Sequence, residues 1–366
     1  MLFFLTNTLI VDKADPSFQK IKRAVRNLAV AATEGKHMVL GDIESVAYFS
    51  DVFINNDDDV SRFFNRLNQN LAFATIPSEI TMYVEVVNGI EQERKSDCCE
   101  IKQLDYSHFL DTACIQATTL LCEDFEYDCQ LYKFIMKWFV KNIQRNVNTN
   151  LNDSHGGGDR IGNILKDCVK KGLVCLCIVD SDMSFPGQTM PSHSTAHECM
   201  GIKRGKLEEL LVLNVHEAEN LLPINYIDMV PNSLLPVQKK NSFRKLYEDE
   251  LSAEYILRYF DLKNGLLKLE NYFNCADFIK YARIVCEANP EFLNGESFDD
   301  YYNEKKIKEM LYPGVAKRIL NFTLDVMRNE NLPAPQLLRY QSDEWVRVGQ
   351  AMLNYCCAER VENLLN

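Results

Sequence analysis

Hydrophobic and polar positions follow two different periods along this chain, and the changes of period divide it into three parts. In the first part, residues 2–11 and 80–87 have the apolar or alternating runs of strands, whereas residues 18–32 repeat apolar side chains at helical spacing. The segment 37–49 is predicted to supply one or two further strands. We therefore predict an N-terminal α/β domain over residues 1–112, whose role the pattern does not identify.

The second part, residues 113–232, alternates strand and helix patterns in the order that builds a parallel sheet. Its most apolar stretch, residues 173–179, has the continuous run typical of a central strand that is covered on both faces. We expect a mostly parallel sheet with helices packed against it. The predicted elements are strands at 115–122, 147–151, 173–179 and 210–215 and helices at 127–142 and 159–171.

The third part, residues 233–366, shows helical spacing throughout, and prolines separate its apolar runs. Trp345, Val348 and Met352 share one apolar helix face and are predicted to lie in the core. The fold class predicted for the whole chain is α/β, with a mostly parallel sheet between an N-terminal α/β domain and a helical C-terminal domain. The predicted C-terminal helices are 243–260, 272–289, 306–328 and 343–361.

Composition and charge restrict the classes of function. The 366 residues include 40 Lys and Arg against 52 Asp and Glu, which gives a net charge of −12. That balance opposes a protein that coats nucleic acid through general attraction to phosphates. It does not oppose an enzyme that holds metal ions with carboxylates and uses them to cut nucleic acid.

The apolar stretches predict a cytoplasmic protein that does not enter a membrane. No stretch reaches the roughly 18 uninterrupted apolar residues that cross a bilayer. The apolar start of the chain lacks a basic region and continues into Asp12 and Lys13, so a buried first strand is predicted rather than a secretion signal. The thirteen cysteines lie inside apolar runs, which is typical of small buried side chains in a reducing cytosol.

Carboxylates follow three of the apolar strands predicted in residues 113–232. Glu123 follows the first strand, Asp180 and Asp182 follow the central strand, and Glu217 and Glu219 follow the last strand. Ligands of open α/β sheets bind beyond the carboxyl ends of the strands, and alternate residues of an extended segment point to the same side. Carboxylates that converge there repel one another unless a cation neutralises them, and oxygen ligands suit Mg²⁺ or Mn²⁺. The alternative is that these acidic residues cap the next helix or stay solvated.

A glycine triplet, Gly156, Gly157 and Gly158, lies between a predicted strand and a predicted helix. Backbone amides without side chains can approach a phosphate or a neighbouring strand closely at such a point. The triplet is neither a Walker loop nor the spaced glycines of a dinucleotide site, and a flexible turn is the alternative.

The order of these motifs resembles the Toprim domain. A strand that ends in Glu123, a glycine turn, a strand that ends in Asp180-Ser181-Asp182 and a later Glu217-Ala218-Glu219-Asn220 follow one another as in that family. The branches it is most similar to are the nucleases of the overcoming-lysogenization-defect type and the Toprim effectors of anti-phage systems such as PARIS. The first motif of the family is usually Glu-Gly, whereas this chain has Glu123-Asp124.

The resemblance implies a nuclease of prokaryotic anti-phage defence that hydrolyses phosphodiester bonds. It implies that Asp180 and Asp182 hold Mg²⁺ or Mn²⁺ and that Glu217 or Glu219 completes this site or a second one. Glu123 is implied as a further ligand or as a general base toward the attacking water. The substrate it implies is nucleic acid, either DNA or tRNA or another RNA. An ATPase sensor protein as partner and a homo-oligomeric state both stay open.

Four basic residues are weaker candidates for substrate contacts. Lys203, Arg204 and Lys206 lie in the loop beyond the Asp pair, where they could bind substrate phosphates or belong to a solvated loop. Lys263 follows a predicted helix, where it could face the site or belong to a simple turn.

Two other functions fit parts of the pattern. A non-catalytic subunit that keeps the Toprim fold and acts by binding another protein fits the acidic surface and the Asp at position 124. A metal-dependent nucleotidyl transferase or primase-like enzyme would need a basic template channel, for which the sequence contains no sign.

Overall fold

The structure is a computed structural model that describes residues 1–54, 58–70, 76–95, 98–143, 147–155, 160–252 and 256–359. Its strands, in chain order, are β1 (Leu2–Leu5), β2 (Met38–Gly41), β3 (Met82–Val87), β4 (Glu93–Lys95), β5 (Glu100–Asp105), β6 (Thr118–Cys122), β7 (Asn148–Thr149), β8 (Leu151–His155), β9 (Cys175–Val179), β10 (Glu208–Val212), β11 (Gly265–Leu267), β12 (Met310–Pro313) and β13 (Cys357–Ala358). Its helices are α1 (Phe18–Thr33), α2 (Ile43–Phe53), α3 (Asp58–Gln69), α4 (Asp128–Asn142), α5 (Ile161–Lys171), α6 (Thr195–Met200), α7 (Ile224–Met229), α8 (Val237–Ser252), α9 (Ala276–Glu287), α10 (Phe298–Glu304), α11 (Ile319–Met327) and α12 (Arg339–Cys356).

The N-terminal sheet has the strand order β2-β1-β3-β5-β4, in which β4 alone runs antiparallel to its neighbour. Helix α1 lies where the sequence predicts it, and Gly35 follows it with a φ of +68°. Of the one or two strands predicted within residues 37–49, the structure has one, β2, which is followed by helix α2. Asp42 caps that helix by accepting a hydrogen bond from the Ser45 amide at 2.7 Å, a local signal that favours helix over strand.

The second sheet has the order β10-β9-β6-β8, and all its strands are parallel. All five residues of β9 are buried, as its uninterrupted apolar run predicts. Helices α4 and α12 cover one face, and a separate apolar cluster from α5, α6 and the strands fills the other. The prediction of an α/β fold with parallel sheets is confirmed.

The C-terminal part contains helices and also strands, so the all-helical prediction is wrong there. β11 and β12 pair antiparallel, and β12 lies inside the segment 306–328 that the spacing predicts as one helix. Gly265, with a φ of +84°, explains this pairing, since a Cβ atom there would lie 2.2 Å from the Tyr312 carbonyl oxygen. Within the described ranges, no helix combines the length and the apolar character that crossing a membrane requires.

Helix α12 connects the two sheets. It packs on α4 where Gly349 leaves room for the Phe139 ring, which a Cβ atom would approach to 2.5 Å. The Tyr355 carbonyl accepts a hydrogen bond from the Met1 amino group at 2.8 Å, and the Tyr355 hydroxyl accepts one from Lys102 at 3.3 Å. Beyond the helix, β13 pairs with β7. One apolar core therefore includes residues from all three predicted parts of the chain.

Replacement of Trp345 by alanine is expected to lower the free energy of unfolding by about 3–5 kcal/mol. The Trp345 ring is fully buried, lies 5.2 Å from the Trp138 ring, and donates a hydrogen bond to the Leu221 carbonyl at 3.0 Å. Urea denaturation of Trp345→Ala and of Val346→Ala measures the effect, since Val346 lies on the same helix but is 46% exposed. Equal losses in the two variants would contradict this placement of α12.

Candidate metal and active site

Adjacent strands deliver the first two carboxylates to one point. Glu123 follows β6 and Asp180 follows β9, and these strands pair in register. One oxygen of Glu123 accepts a hydrogen bond from the Asp180 amide at 3.2 Å, and the other accepts one from the Thr195 hydroxyl at 3.3 Å. The Glu123 carboxylate is therefore held beside Asp180.

The turn after Glu123 does not need a glycine. Asp124 has no positive φ, so its conformation is open to any L-residue. Its carboxylate accepts hydrogen bonds from the Glu126 amide at 2.8 Å and the Tyr127 amide at 3.1 Å. These bonds form the Asx turn that leads into α4, so the aspartate stabilises the turn by a different means.

Asp182 reaches the site through a left-handed turn. Its φ is +55°, so the extended geometry expected to align it with Asp180 ends before it. Its amide donates to the His216 carbonyl at 3.1 Å, and the buried Ser181 hydroxyl donates to the Val215 carbonyl at 2.5 Å. These bonds attach the turn to the segment that carries the last two glutamates.

Glu217 and Glu219 lie around a short 3₁₀ turn, Ala218–Leu221, and share one lysine. The Lys263 ammonium lies 3.1 Å from a Glu217 oxygen and 3.2 Å from a Glu219 oxygen. Asn220 holds this arrangement, because its side-chain oxygen accepts from the Glu217 amide at 2.8 Å while its amide group donates to two carbonyls of the segment before Lys263. Of the two interpretations of Lys263, the structure favours the one in which it faces the carboxylates.

More carboxylates than cations lie in this cluster, and the pKa values of three of the carboxylates are raised. Burial raises the pKa of Asp180 well above its usual value, and the negative charges of Asp128, Glu123, Glu217 and Glu219 raise it further. Burial raises the pKa of Glu123, with Asp182 as the next cause. Burial also raises the pKa of Glu217 to about 7, although the nearby cations of His216 and Lys263 oppose the shift.

Two buried oxygens make the site suitable for a cation. Among the described residues, Oδ1 of Asp180 and Oε2 of Glu219 have no hydrogen-bond donor, although the Glu219 side chain is only 6% exposed. Buried oxygens without partners are costly, and a divalent ion satisfies them. A donor set made only of carboxylate oxygens fits Mg²⁺ or Mn²⁺ better than zinc.

Asp128 is a member of the cluster that the sequence pattern did not single out. It is the first residue of α4, is 7% exposed, and accepts a hydrogen bond from the Asp124 amide at 2.8 Å. Burial raises its pKa to about 7, and Glu219, Asp124 and Glu123 add to the shift. Its position five residues after a strand-end glutamate is the signal that could have identified it.

We expect Asp128→Asn to stabilise the metal-free protein more at pH 8 than at pH 5. The pKa of Asp128 is higher in the folded state than in the unfolded state. Its protonated side chain therefore stabilises the fold fully below the unfolded-state pKa, and this stabilisation is lost as the pH rises toward 7. Asparagine can still accept the bond from the Asp124 amide and has no charge to bury. The difference in Tm between variant and wild type, measured in EDTA, should increase by several degrees from pH 5 to pH 8. A difference that is constant over this range would contradict a buried charge at position 128.

His216 and Asp261 form an ion pair beside Glu217, and neither was assigned a role from the sequence. Ligand atoms of these three residues lie within 4.8 Å of one another. Nδ1 of His216 lies 3.1 Å from the Met183 carbonyl oxygen, which only accepts, so Nδ1 carries a hydrogen. Nε2 lies 3.9 Å from Asp261. Asp261 lies 38 residues after Pro223, which follows Glu217 and Glu219 in the sequence. No local motif therefore links Asp261 to these glutamates.

His216 and Asp261 shift each other's pKa values. Burial lowers the pKa of His216, but Asp261, Glu217 and Asp182 raise it by more, so the net shift is upward. Burial raises the pKa of Asp261, but the nearby His216 and hydrogen bonds from Asn264 lower it to about 2. The ligand atoms of His216, Glu217 and Asp261 also lie close enough together to hold a metal ion.

A cleft of about 800 Å³ opens on the carboxylates. Asp182 and Glu217 line it, together with Lys268, Tyr272 and Lys308. This volume is within the range of small-molecule and cofactor sites. A ligand in the cleft can therefore contact Asp182 and Glu217 directly.

The three basic residues predicted in the loop after the Asp pair do not join the cluster. Lys203, Arg204 and Lys206 immediately precede β10, so they lie at the amino ends of the parallel strands, opposite the carboxylates. Lys206 binds Glu91 and the Gln103 carbonyl, both at 2.9 Å, on the N-terminal sheet. The expectation that these three bind substrate at this site is therefore corrected. Gly156, Gly157 and Gly158 lie outside the described residues.

Comparison with known proteins found no matching family model, no matching curated protein and no matching solved structure.

Proposed function

We propose that this chain is a Mg²⁺- or Mn²⁺-dependent nuclease that hydrolyses phosphodiester bonds of DNA or RNA. The observation that carries the proposal is the convergence of Glu123, Asp180, Asp182, Glu217 and Glu219 at the carboxyl edge of a parallel sheet. Two buried oxygens, on Asp180 and Glu219, lack donors among the described residues, and a cleft is lined by Asp182 and Glu217. This arrangement supports cation binding where a phosphate can reach the ion.

Each group of the chain has a distinct role in this proposal. Asp180, Asp182 and the two later glutamates hold the ion, which when bound supplies a Lewis acid and lowers the pKa of water. Glu123, held by Thr195 and the Asp180 amide, accepts the proton of the attacking water. Lys263 lies at the same point and stabilises the negative charge that develops on the phosphoryl oxygens.

The biological setting in this proposal is prokaryotic anti-phage defence in the cytoplasm. It rests on the Toprim resemblance alone, because a fold and a site do not identify a pathway. The proposals of an ATPase sensor partner and of a homo-oligomer rest on the same resemblance.

A non-catalytic Toprim-fold regulatory or assembly subunit is the second candidate, and the position of Lys263 favours it. The ammonium already bridges Glu217 and Glu219, so part of the cluster is neutralised by the chain itself. Calorimetric titration with Mn²⁺ separates the two candidates. A nuclease should bind the ion with an affinity that depends on Asp180, whereas a non-catalytic subunit should not.

Cleavage assays with Mn²⁺ on plasmid DNA, single-stranded DNA and total tRNA, run in parallel, test the proposal directly. We expect metal-dependent cleavage of at least one substrate, which EDTA abolishes. The substrate that is cut also identifies the nucleic acid involved. Absence of cleavage in all three, together with absence of Mn²⁺ binding, would favour the non-catalytic candidate.

A further inference from the structure

Helix α4 presents a row of lysines to a groove outside the carboxylate cluster. Lys133, Lys137 and Lys141 are four residues apart, so they share one face of the helix. The groove, of about 740 Å³, lies between α4 and residues 324–335 and also contains Phe134 and Trp138. Nothing in the proposed chemistry uses these residues.

The charges of this row are only partly satisfied by the chain. Lys133 pairs with Asp153, and Arg328 across the groove pairs with Asp325. Lys137 and Lys141 are exposed, and neither has an ion-pair partner among the described residues. Glu330 also lines the groove, but four basic residues do so, and on a chain with a net charge of −12 this local excess of positive charge is complementary to an anionic ligand.

The spacing fits an extended anionic polymer. Four residues of helix rise about 6 Å, a step comparable with the separation of successive phosphates in an extended single strand. Trp138 is partly exposed in the groove and rests edge-on against the buried Trp345 ring at 5.2 Å, which fixes its orientation. Aromatic rings between lysines are the pattern that binds single-stranded nucleic acid, since bases stack while ammonium groups contact phosphates.

The groove is formed in part by α4, the helix whose first residue lies in the carboxylate cluster. Asp128, at the start of α4, belongs to the carboxylate cluster, and Lys133 follows it by about 7.5 Å along the helix axis. We propose that the α4 groove binds the single-stranded nucleic acid that flanks the scissile phosphate. This inference rests on the proposed nuclease function and gives it a substrate class, a single strand rather than a duplex.

Binding of single strands of about twelve nucleotides, in DNA and RNA form and in EDTA, tests the groove without cleavage. The variant is Lys137→Glu with Lys141→Glu. The matched control is Lys170→Glu with Lys171→Glu, since these lysines end α5 and precede β9, at the amino edge of the sheet. We expect the first variant to bind at least about 10-fold more weakly and the salt slope to fall by about 1.4, from two contacts at about 0.7 each. The control should stay within about two-fold of the wild type.

Tryptophan fluorescence provides a second measurement. The chain has two tryptophans, and Trp345 is fully buried, so quenching by a bound strand reports Trp138. We expect quenching in the wild type and its loss in Trp138→Phe. Equal losses of binding in both lysine variants, equal binding of polyglutamate, or absence of strand binding by the wild type would overturn the groove assignment.

Cleavage of a dinucleotide with Mn²⁺ separates this inference from the proposed function. A dinucleotide is too short to reach Lys137, so the groove variant should cut it at the wild-type rate while it cuts long strands poorly. Equal rates on long strands for variant and wild type would overturn the groove and leave the nuclease intact. Strand binding that depends on Lys137 and Lys141, without any cleavage by the wild type, would support the groove and reject the nuclease.

Discussion

Replacing Asp180 and Asp182 together with asparagine is expected to lower Mn²⁺-dependent cleavage at least about 1,000-fold, because the metal contribution of several kcal/mol is lost. The same variant should be at least as stable as the wild type in EDTA. Asp180 carries a buried oxygen without a donor among the described residues, and its pKa is raised first by burial and then by neighbouring carboxylates. Asparagine has no charge, so it avoids the cost of burying a carboxylate, which raises the pKa of Asp180. Thermal denaturation in EDTA and cleavage in Mn²⁺ measure the two effects.

The combination of lost activity and retained stability distinguishes a metal site from a structural one. Mn²⁺ should raise the Tm of the wild type but not that of the double variant, since only a ligand that binds the folded state stabilises it. Asp105→Asn is the matched control. Asp105 also ends a parallel strand, in the N-terminal sheet, where it accepts hydrogen bonds from the Ser107 and Gly89 amides. Unchanged cleavage in the Asp180/Asp182 variant would reject the nuclease proposal.

The strand-end carboxylates could be predicted because parallel strands bring their carboxyl ends to one edge. Glu123 and Asp180 need only the strand pattern and the parallel arrangement for their proximity. Their roles as metal ligands stay predictions. Asp128 was missed because its approach depends on the angle at which α4 leaves the strand. His216 and Asp261 were missed because their pairing depends on how two distant loops pack.

The misplaced basic residues show the limit of local patterns in a parallel sheet. A loop between two parallel strands must return from the carboxyl edge to the amino edge, and Lys203, Arg204 and Lys206 lie at the end of that return. Because these residues follow Asp182 in the same loop, the sequence suggested that they lie near it. The topology places them at the opposite edge of the sheet. The strands β11 and β12 were missed for a related reason, because a close contact at Gly265 decides their pairing and helical spacing does not reveal it.

Lys263→Met is expected to lower the Tm in EDTA by several degrees and to lower cleavage about 100-fold. Methionine keeps the length of the side chain but leaves Glu217 and Glu219, of which Glu219 is 6% exposed, without their shared cation. Burial lowers the pKa of Lys263, but the two glutamates and Asp180 raise it by more, so the ammonium stays charged across the accessible pH range. Lys263→Arg, which keeps the charge, should retain most of the stability.

The response of the Lys263→Met variant to Mn²⁺ decides between the two proposed functions. If the cluster is a metal site, Mn²⁺ should restore the Tm of the variant, because the ion replaces the lost positive charge, while cleavage stays low for want of the ammonium. If Lys263 is the permanent counter-ion of a non-catalytic subunit, Mn²⁺ should leave the Tm low. Lys308→Met is the matched control, since Lys308 lies on the rim of the same cleft, is 75% exposed and pairs with Glu270. An unchanged Tm and unchanged cleavage in Lys263→Met would contradict both, because each requires the ammonium to interact with Glu217 and Glu219.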